Sequence, residues 1–336
     1  VFINSCAESR YKYVILSNRD ESFQRPTLRS SFWAPNSSVV PPTADNESST
    51  ASSSISQLTS QPEETQQGQT TLQILGGRDG IRGGTWLAVA TNGRFAVVTN
   101  YQEPREPDLV EIKDGRVRAP SLVPGVKSRG DLPTNFLAGT TTPEEYLSLV
   151  RAEKDDYPGF NLIVGDCTSM SLFSNRDTTS SIVPLTIGTV VGLTNGLIEP
   201  EWFKATHGIG LVQSLKLPDP EELAIQASAS DHRITNGEPS DLLKQTISPL
   251  MAILNDREHP PHAEGTSVYD RCGILAPIFV DPVNVSRSAS SPLEYGTRCS
   301  IIILVDQQNR VTFYERALDI ETRQWQDRVF HFTAQP

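Results

Sequence analysis

Asn18, Arg19, Asp20 and Glu21 follow the apolar residues "YVIL" after a single Ser17 and run on into "SFQRP". A strand that belongs in a core here delivers three ionisable side chains in a row. Two readings are open: a solvated turn, or charges that a strand holds in place for chemistry. Other polar residues stand at comparable places. Arg19 and Asp20 close one apolar run, Asn100 closes "FAVVTNY", Asn195 closes "VVGLTN", and Arg298 opens "CSIIILV". Each alone reads as a turn or cap residue. Together they are more informative, because amide and guanidinium groups at adjacent strand ends can converge on one carbonyl. Asn side chains donate to an oxyanion, and an Arg–Asp pair can hold a nucleophile.

Other chemistries lack their residues. There is no G-x-S-x-G elbow, no H-E-x-x-H and no phosphate-binding loop. Glycines 76, 77, 80, 83 and 84 precede a strand instead of opening a helix, so tight backbone packing is expected there. His259 and His262 in "HPPH" have a metal-like spacing, but the prolines impose an extended backbone and no further ligands adjoin, so a surface loop is expected. Cys6, Cys167, Cys272 and Cys299 show no C-x-x-C spacing and no C-x-x-C-H haem attachment motif. This speaks against a disulfide scaffold and a zinc site, and for a reducing, cytosol-facing compartment.

The elements that must position these residues read mostly as strands. "VFINS" and "KYVILSN" form one hairpin. "TWLAVATNGRFAVVTNY" forms another across Asn92-Gly93, the dipeptide preferred by a type I′ turn. "FNLIVGD" pairs with "MSLFSN", "TIGTVVGLTN" follows, and "CSIIILVDQQNRVTFYER" with "WQDRVFHF" closes the chain. Helices lie between. Thr142-Pro143-Glu144-Glu145 is an N-cap with Pro at the first helical position. "EPEWFKATHGIGLVQSLK" and "PSDLLKQTISPLMAILNDRE" are the other helical stretches, the second broken or kinked at Pro249. Hairpins with helices grouped between them imply antiparallel sheets with helices outside, an α+β layering.

Composition bounds the rest. The formal net charge of −11 argues against nucleic acid or an anionic membrane as the main partner. No apolar run approaches the ~18 residues of a membrane span, and the start has none of the features of a signal peptide. Residues 36–70, rich in Ser, Thr, Gln and Pro, are expected to be a disordered insert that interrupts one domain spanning 1–336. Residues 228–240 read as a loop between helices.

The stretch "SNRDESFQRP" resembles the signature of the NRDE family. The likeness extends through "GGTWLAVATNGRFAVVTNY", "GFNLIVGD", "GLTNGLIEPEWFK" and "YGTRCSIIILVDQQNRVTFYER", in order over nearly the whole chain. The resemblance implies an N-terminal nucleophile hydrolase-like fold, a four-layer αββα sandwich of two antiparallel sheets, closest to bile-salt and penicillin V acylases. In those enzymes an N-terminal Cys attacks an amide and its own α-amine is the base. By that likeness Arg19 and Asp20 flank the nucleophile, Asn100 supplies an oxyanion donor, Asn195 positions the nucleophile's amine or the substrate, and Arg298 adjoins them. The family begins Met-Cys ahead of its first strand, whereas this chain begins at Val1 inside "VFINS". The expectation is that residues preceding Val1 are missing. Cys6 is no substitute, since it has no free α-amine.

The resemblance further implies a role in Golgi organisation and protein secretion, at the Golgi or mitochondria, through a lipid-like ligand or haem as cargo, with no resident cofactor. The alternatives are an amidohydrolase or acyltransferase acting on a small acylated amine, which requires the upstream Cys, and a scaffold whose pocket is vestigial.

Overall fold

The computed structural model describes residues 1–5, 10–37, 71–102, 112–113, 116–117, 125–198, 202–217, 241–260, 275–284 and 294–336. Cys6, Cys272, His262, residues 38–70 of the expected insert and the expected loop at 228–240 lie outside them.

In chain order the strands and helices are β1 (Phe2–Ser5), β2 (Tyr11–Ser22), β3 (Thr27–Trp33), β4 (Ile74–Asp79), β5 (Leu87–Ala90), β6 (Phe95–Asn100), the short pair β7 (Ile112–Lys113) and β8 (Arg116–Val117), α1 (Asp131–Ala138), α2 (Pro143–Ala152), β9 (Phe160–Gly165), β10 (Met170–Ser174), β11 (Ile182–Pro184), β12 (Val190–Gly192), α3 (Phe203–Gln213), α4 (Asp241–Leu254), β13 (Val283–Asn284), β14 (Glu294–Asp306), β15 (Arg310–Leu318) and β16 (Trp325–Thr333). One antiparallel sheet has the order β12-β1-β2-β14-β15-β16, with β13 added on β14; the other runs β11-β10-β9-β6-β5-β4-β3.

Strand alternation builds the layers. Ile3, Tyr13, Ile15, Ile301 and Ile303 of the first sheet meet Leu87, Val89, Phe95, Val97 and Ile163 of the second in one core. The alternate residues Phe2, Val14, Leu16, Ile302 and Leu304 turn outward and pack against Val212 of α3 and Leu243, Ile247 and Leu250 of α4. On the far side Ala88, Ala90, Leu162 and Val164 take α1 and α2 through Leu132, Phe136, Leu147 and Val150. The order of layers is helix, sheet, sheet, helix, as expected.

Local chemistry explains most boundaries. Thr142 Oγ1 accepts from Glu145 N at 3.3 Å while Glu145 Oε2 accepts from Thr142 N at 2.9 Å, a capping box that starts α2 at Pro143. The β5–β6 hairpin forms, but its turn is not type I′. Gly93 alone takes a positive φ, +82°, and Gly93 N donates to Ala90 O. A three-residue loop with Gly in the left-handed position results, because Asn92 keeps a negative φ. Nor does Pro249 end its helix; α4 continues to Leu254. The expected packing of the glycines holds, since a Cβ on Gly84 would lie 2.4 Å from the Gly130 carbonyl carbon.

Two strand ends fall elsewhere than expected. β2 runs past Arg19 and Asp20 to Ser22, because β14 pairs with it from Asp306 opposite Tyr11 to Tyr295 opposite Ser22. Arg298 does not open a strand. It sits inside β14 at a register shift, between Thr297 opposite Asp20 and Cys299 opposite Arg19.

Candidate functional site

Because Asn18, Arg19, Asp20 and Glu21 are mid-strand, their side chains divide between the two faces of the sheet. Asn18 faces the helices. Its Nδ2 donates to Leu254 O at 2.7 Å and Ile278 O at 3.0 Å, and its Oδ1 accepts from Ser300 Oγ at 2.8 Å. The last turn of α4 is tied down through this one amide. Asp20 is on the same face. It accepts from Thr297 Oγ1 at 2.6 Å and lies 3.9 Å from Lys204 Nζ of α3.

Arg19 and Glu21 face the second sheet. The Arg19 guanidinium lies 4.4 Å above the Trp86 ring, donates to Thr27 Oγ1 at 3.1 Å, and is 3.6 Å from Glu21 and 3.8 Å from Asp79. Burial pushes Arg19 below its ordinary pKa, while Glu21 pulls it back. Asp79 also accepts from Arg25 Nε at 2.5 Å. Burial opposes ionisation of Asp79, but hydrogen bonds from Arg25 and from the N–H groups of Arg82 and Ile81 outweigh it and hold the carboxyl below the usual range. The expected Arg19–Asp20 pair is therefore not formed. Adjacent residues in a strand point to opposite faces, and each finds its counter-charge there.

These groups open onto a cavity of about 240 Å³ at the ends of both sheets. Arg19, Asp20, Asn100, Asn195 and Val1 all line it. Asn195 Nδ2 donates to Asn100 O at 2.8 Å, so the two expected amides are neighbours. That contact uses one of the two Asn195 Nδ2 donors on a carbonyl. The Asn100 side-chain amide faces the cavity with no hydrogen-bond partner among the described residues. Val1 is held in the ladder, donating to Leu193 O at 2.9 Å and accepting from Leu193 N at 2.8 Å.

Arg298 is not among the lining residues. Its guanidinium turns to the Ser22 and Arg25 carbonyls, at 2.7 Å each, and so fixes the turn after β2. Burial, with Arg19 adding repulsion, pushes its pKa down to about 10.

The sequence profile of the Transport and Golgi organisation 2 family matches residues 1–51 and 59–320. The chain belongs to that family. It is 27% identical to the mouse Transport and Golgi organization 2 homolog and 28% identical to the human one, each over 98% of this chain and 95% of the relative. Among solved structures, a variant of the conjugated bile acid hydrolase from Clostridium perfringens aligns over 97% of this chain and 90% of its own, at 12% identity and a TM-score of 0.41.

Three residues of this family member escaped the sequence reading. Lys204 is buried beside Asp20. It shares a face with Gly208 and Val212, so a helical-period count over "FKATHGIGLV" was the available signal. Asp79 ends β4 inside a glycine-rich turn, where Asp is an ordinary turn residue and carries no signal. Asn161, fully buried in β9, donates through Nδ2 to Thr99 Oγ1 at 3.1 Å and Gly196 O at 2.8 Å. It thereby docks residues 194–196, which follow a strand of the first sheet, onto the second.

Proposed function

We propose that this member of the Transport and Golgi organisation 2 family binds a small amphipathic, lipid-like ligand in the cavity at the sheet ends, and serves Golgi organisation and secretory transport through it. One observation carries the reading. The cavity sets Trp86, Val98, Leu193, Leu254 and Ile278 beside the Lys204 ammonium, within a chain of formal net charge −11. Apolar walls with a few placed polar groups suit an acyl body, and a cationic patch in an acidic protein attracts an anionic head. The names of the mouse and human relatives support the Golgi assignment. The proposal puts the protein on the cytosolic side of the Golgi or mitochondria; among the described residues no helix is long and apolar enough to cross a membrane. Haem stands as a second candidate cargo.

The test is thermal unfolding with a long-chain fatty acid, its uncharged amide, and haem. Binding confined to the native state raises apparent stability. The fatty acid should raise Tm saturably, and Lys204→Met should cut that rise more than it cuts the rise given by the amide. No saturable shift with any of the three would leave the scaffold reading.

A second reading, hydrolysis of a small acylated amine, is favoured by the place of the Val1 nitrogen. A residue joined to it would enter the cavity that Asp20, Lys204 and Asn100 line, with the Asn100 amide as an oxyanion donor. A chain with Cys placed ahead of Val1 should then release amine from an acyl amide, and Asn100→Ala should lower kcat with little change in KM.

A further inference from the structure

We infer that His207, Asp256 and Glu258 form a binding site for a divalent transition-metal ion, separate from the cavity residues. His207 comes from α3, one turn beyond Lys204, and its ring stacks on Phe203 at 5.2 Å and 9°. The two carboxylates come from the segment just after α4. Asp256 Oδ1 accepts from Glu258 N at 2.9 Å, a local turn that leaves Oδ2 for another partner and aims Glu258 back at it.

The distances suit an ion better than a hydrogen bond. His207 Nε2 lies 3.3 Å from Asp256 Oδ2 and 3.6 Å from Glu258 Oε2. The nitrogen is shut off from solvent and makes no hydrogen bond to either oxygen. An imidazole N–H donating to a carboxylate would approach to roughly 2.7–2.9 Å. Around a tetrahedral ion with ligands at about 2.0–2.2 Å, neighbouring ligand atoms are roughly 3.3–3.6 Å apart. All three ligand atoms lie within 4.8 Å of one another.

The surroundings favour positive charge. Among the described residues no Lys or Arg pairs with either carboxylate: Arg257, between them in sequence, turns away and binds Asp281 through Nε at 3.0 Å. The carboxylates also sit just past the C-terminus of α4, the negative end of its dipole. One imidazole and two carboxylates select a borderline ion such as Zn²⁺ over Mg²⁺ or Ca²⁺, and three protein ligands leave a fourth position for water. Such an ion would clamp α3, which carries Lys204, to the end of α4, which Asn18 holds on the other side.

The experiment is calorimetric titration of untagged, chelator-treated protein with Zn²⁺, paired with thermal unfolding. One saturable Zn²⁺ equivalent is expected, with Tm raised by roughly 5 °C at 100-fold excess over Kd. His207→Gln and Glu258→Gln should each weaken binding beyond the roughly 10–100-fold loss typical of an outer-shell change. Glu258 is largely exposed, so its variant folds even if the His207 variant does not. His259→Ala should bind as the parent does. Absence of saturable binding, or unchanged affinity in Glu258→Gln, overturns the site, and loss confined to His259→Ala transfers it to the "HPPH" loop.

Discussion

Arg19 and Asp20 are neighbours in sequence and strangers in space, and their energetics should show it. Arg19 shares its charge with Glu21 and Asp79, whereas Asp20 faces Thr297 and Lys204. Removing the buried Arg19 charge as Arg19→Met should cost roughly 2–4 kcal/mol, since Asp79 and Glu21 lose a counter-ion and Trp86 loses a cation. In a double-mutant cycle by urea unfolding, Arg19→Met with Asp79→Asn should couple by about 1 kcal/mol or more. Arg19→Met with Asp20→Ala should be additive within about 0.5 kcal/mol. Strong coupling in the second cycle would contradict the division of faces. A titrating residue gives a second outcome at this scale. Burial in β16 pushes the His331 pKa below its ordinary 6.5. The unfolded chain then binds the proton more readily, so stability present above pH 6.5 is lost as pH falls below it. His331→Gln should flatten that part of the stability profile and leave the lower, carboxylate part in place.

At the scale of elements, the site depends on one segment crossing between sheets. Residues 194–196 leave β12 of the first sheet and are held on the second by the Asn161 amide. Asn161→Ala would take the amide donor from the Gly196 carbonyl, at about 1–3 kcal/mol where water cannot reach, while the Thr194 carbonyl keeps the Thr99 hydroxyl at 2.7 Å. We expect a loss of roughly 1–3 kcal/mol in unfolding free energy, and weaker ligand stabilisation than in the parent, because Asn195 moves with the segment. A variant that loses stability yet keeps full ligand response would show that the segment does not shape the cavity. The hairpins were legible in sequence because two-residue periodicity is a local signal. The capping box at Thr142 was legible for the same reason. The extension of β2 through Arg19 and Asp20 was not, because it is dictated by pairing with β14, almost 280 residues away. Likewise the convergence of Asn100 and Asn195 could be surmised from their places at strand ends. The turning away of Arg298 required the bulge at Thr297, and no residue type announces it.

Across the whole molecule, the long connection between β3 and β4 asks what it contributes to a fold made of paired sheets. Its two ends are already together. Trp33 stands opposite Ile74 in the ladder, and Ser37, at the near edge, accepts Arg78 through its hydroxyl at 2.9 Å and its carbonyl at 2.8 Å. The connection thus closes a hairpin whose register is fixed by Phe32, Trp33, Ile74 and Leu75 and whose exit is fixed by Arg78. Shortening a flexible loop lowers its closure entropy by about 0.6 kcal/mol for each halving. Removing residues 41–68 cuts the connection about threefold and should therefore stabilise the fold by about 1 kcal/mol, a rise in Tm of a degree or two. Circular dichroism melts of the shortened chain would measure it. A fall of several degrees would mean instead that the removed residues bury surface on the sheets, and the closure term would be the lesser effect. Arg78→Gln separates the two cases: its loss of the Gly83 carbonyl and the Trp33 ring is common to both chains, so any extra cost in the shortened chain reports the Ser37 contacts that close the shorter connection.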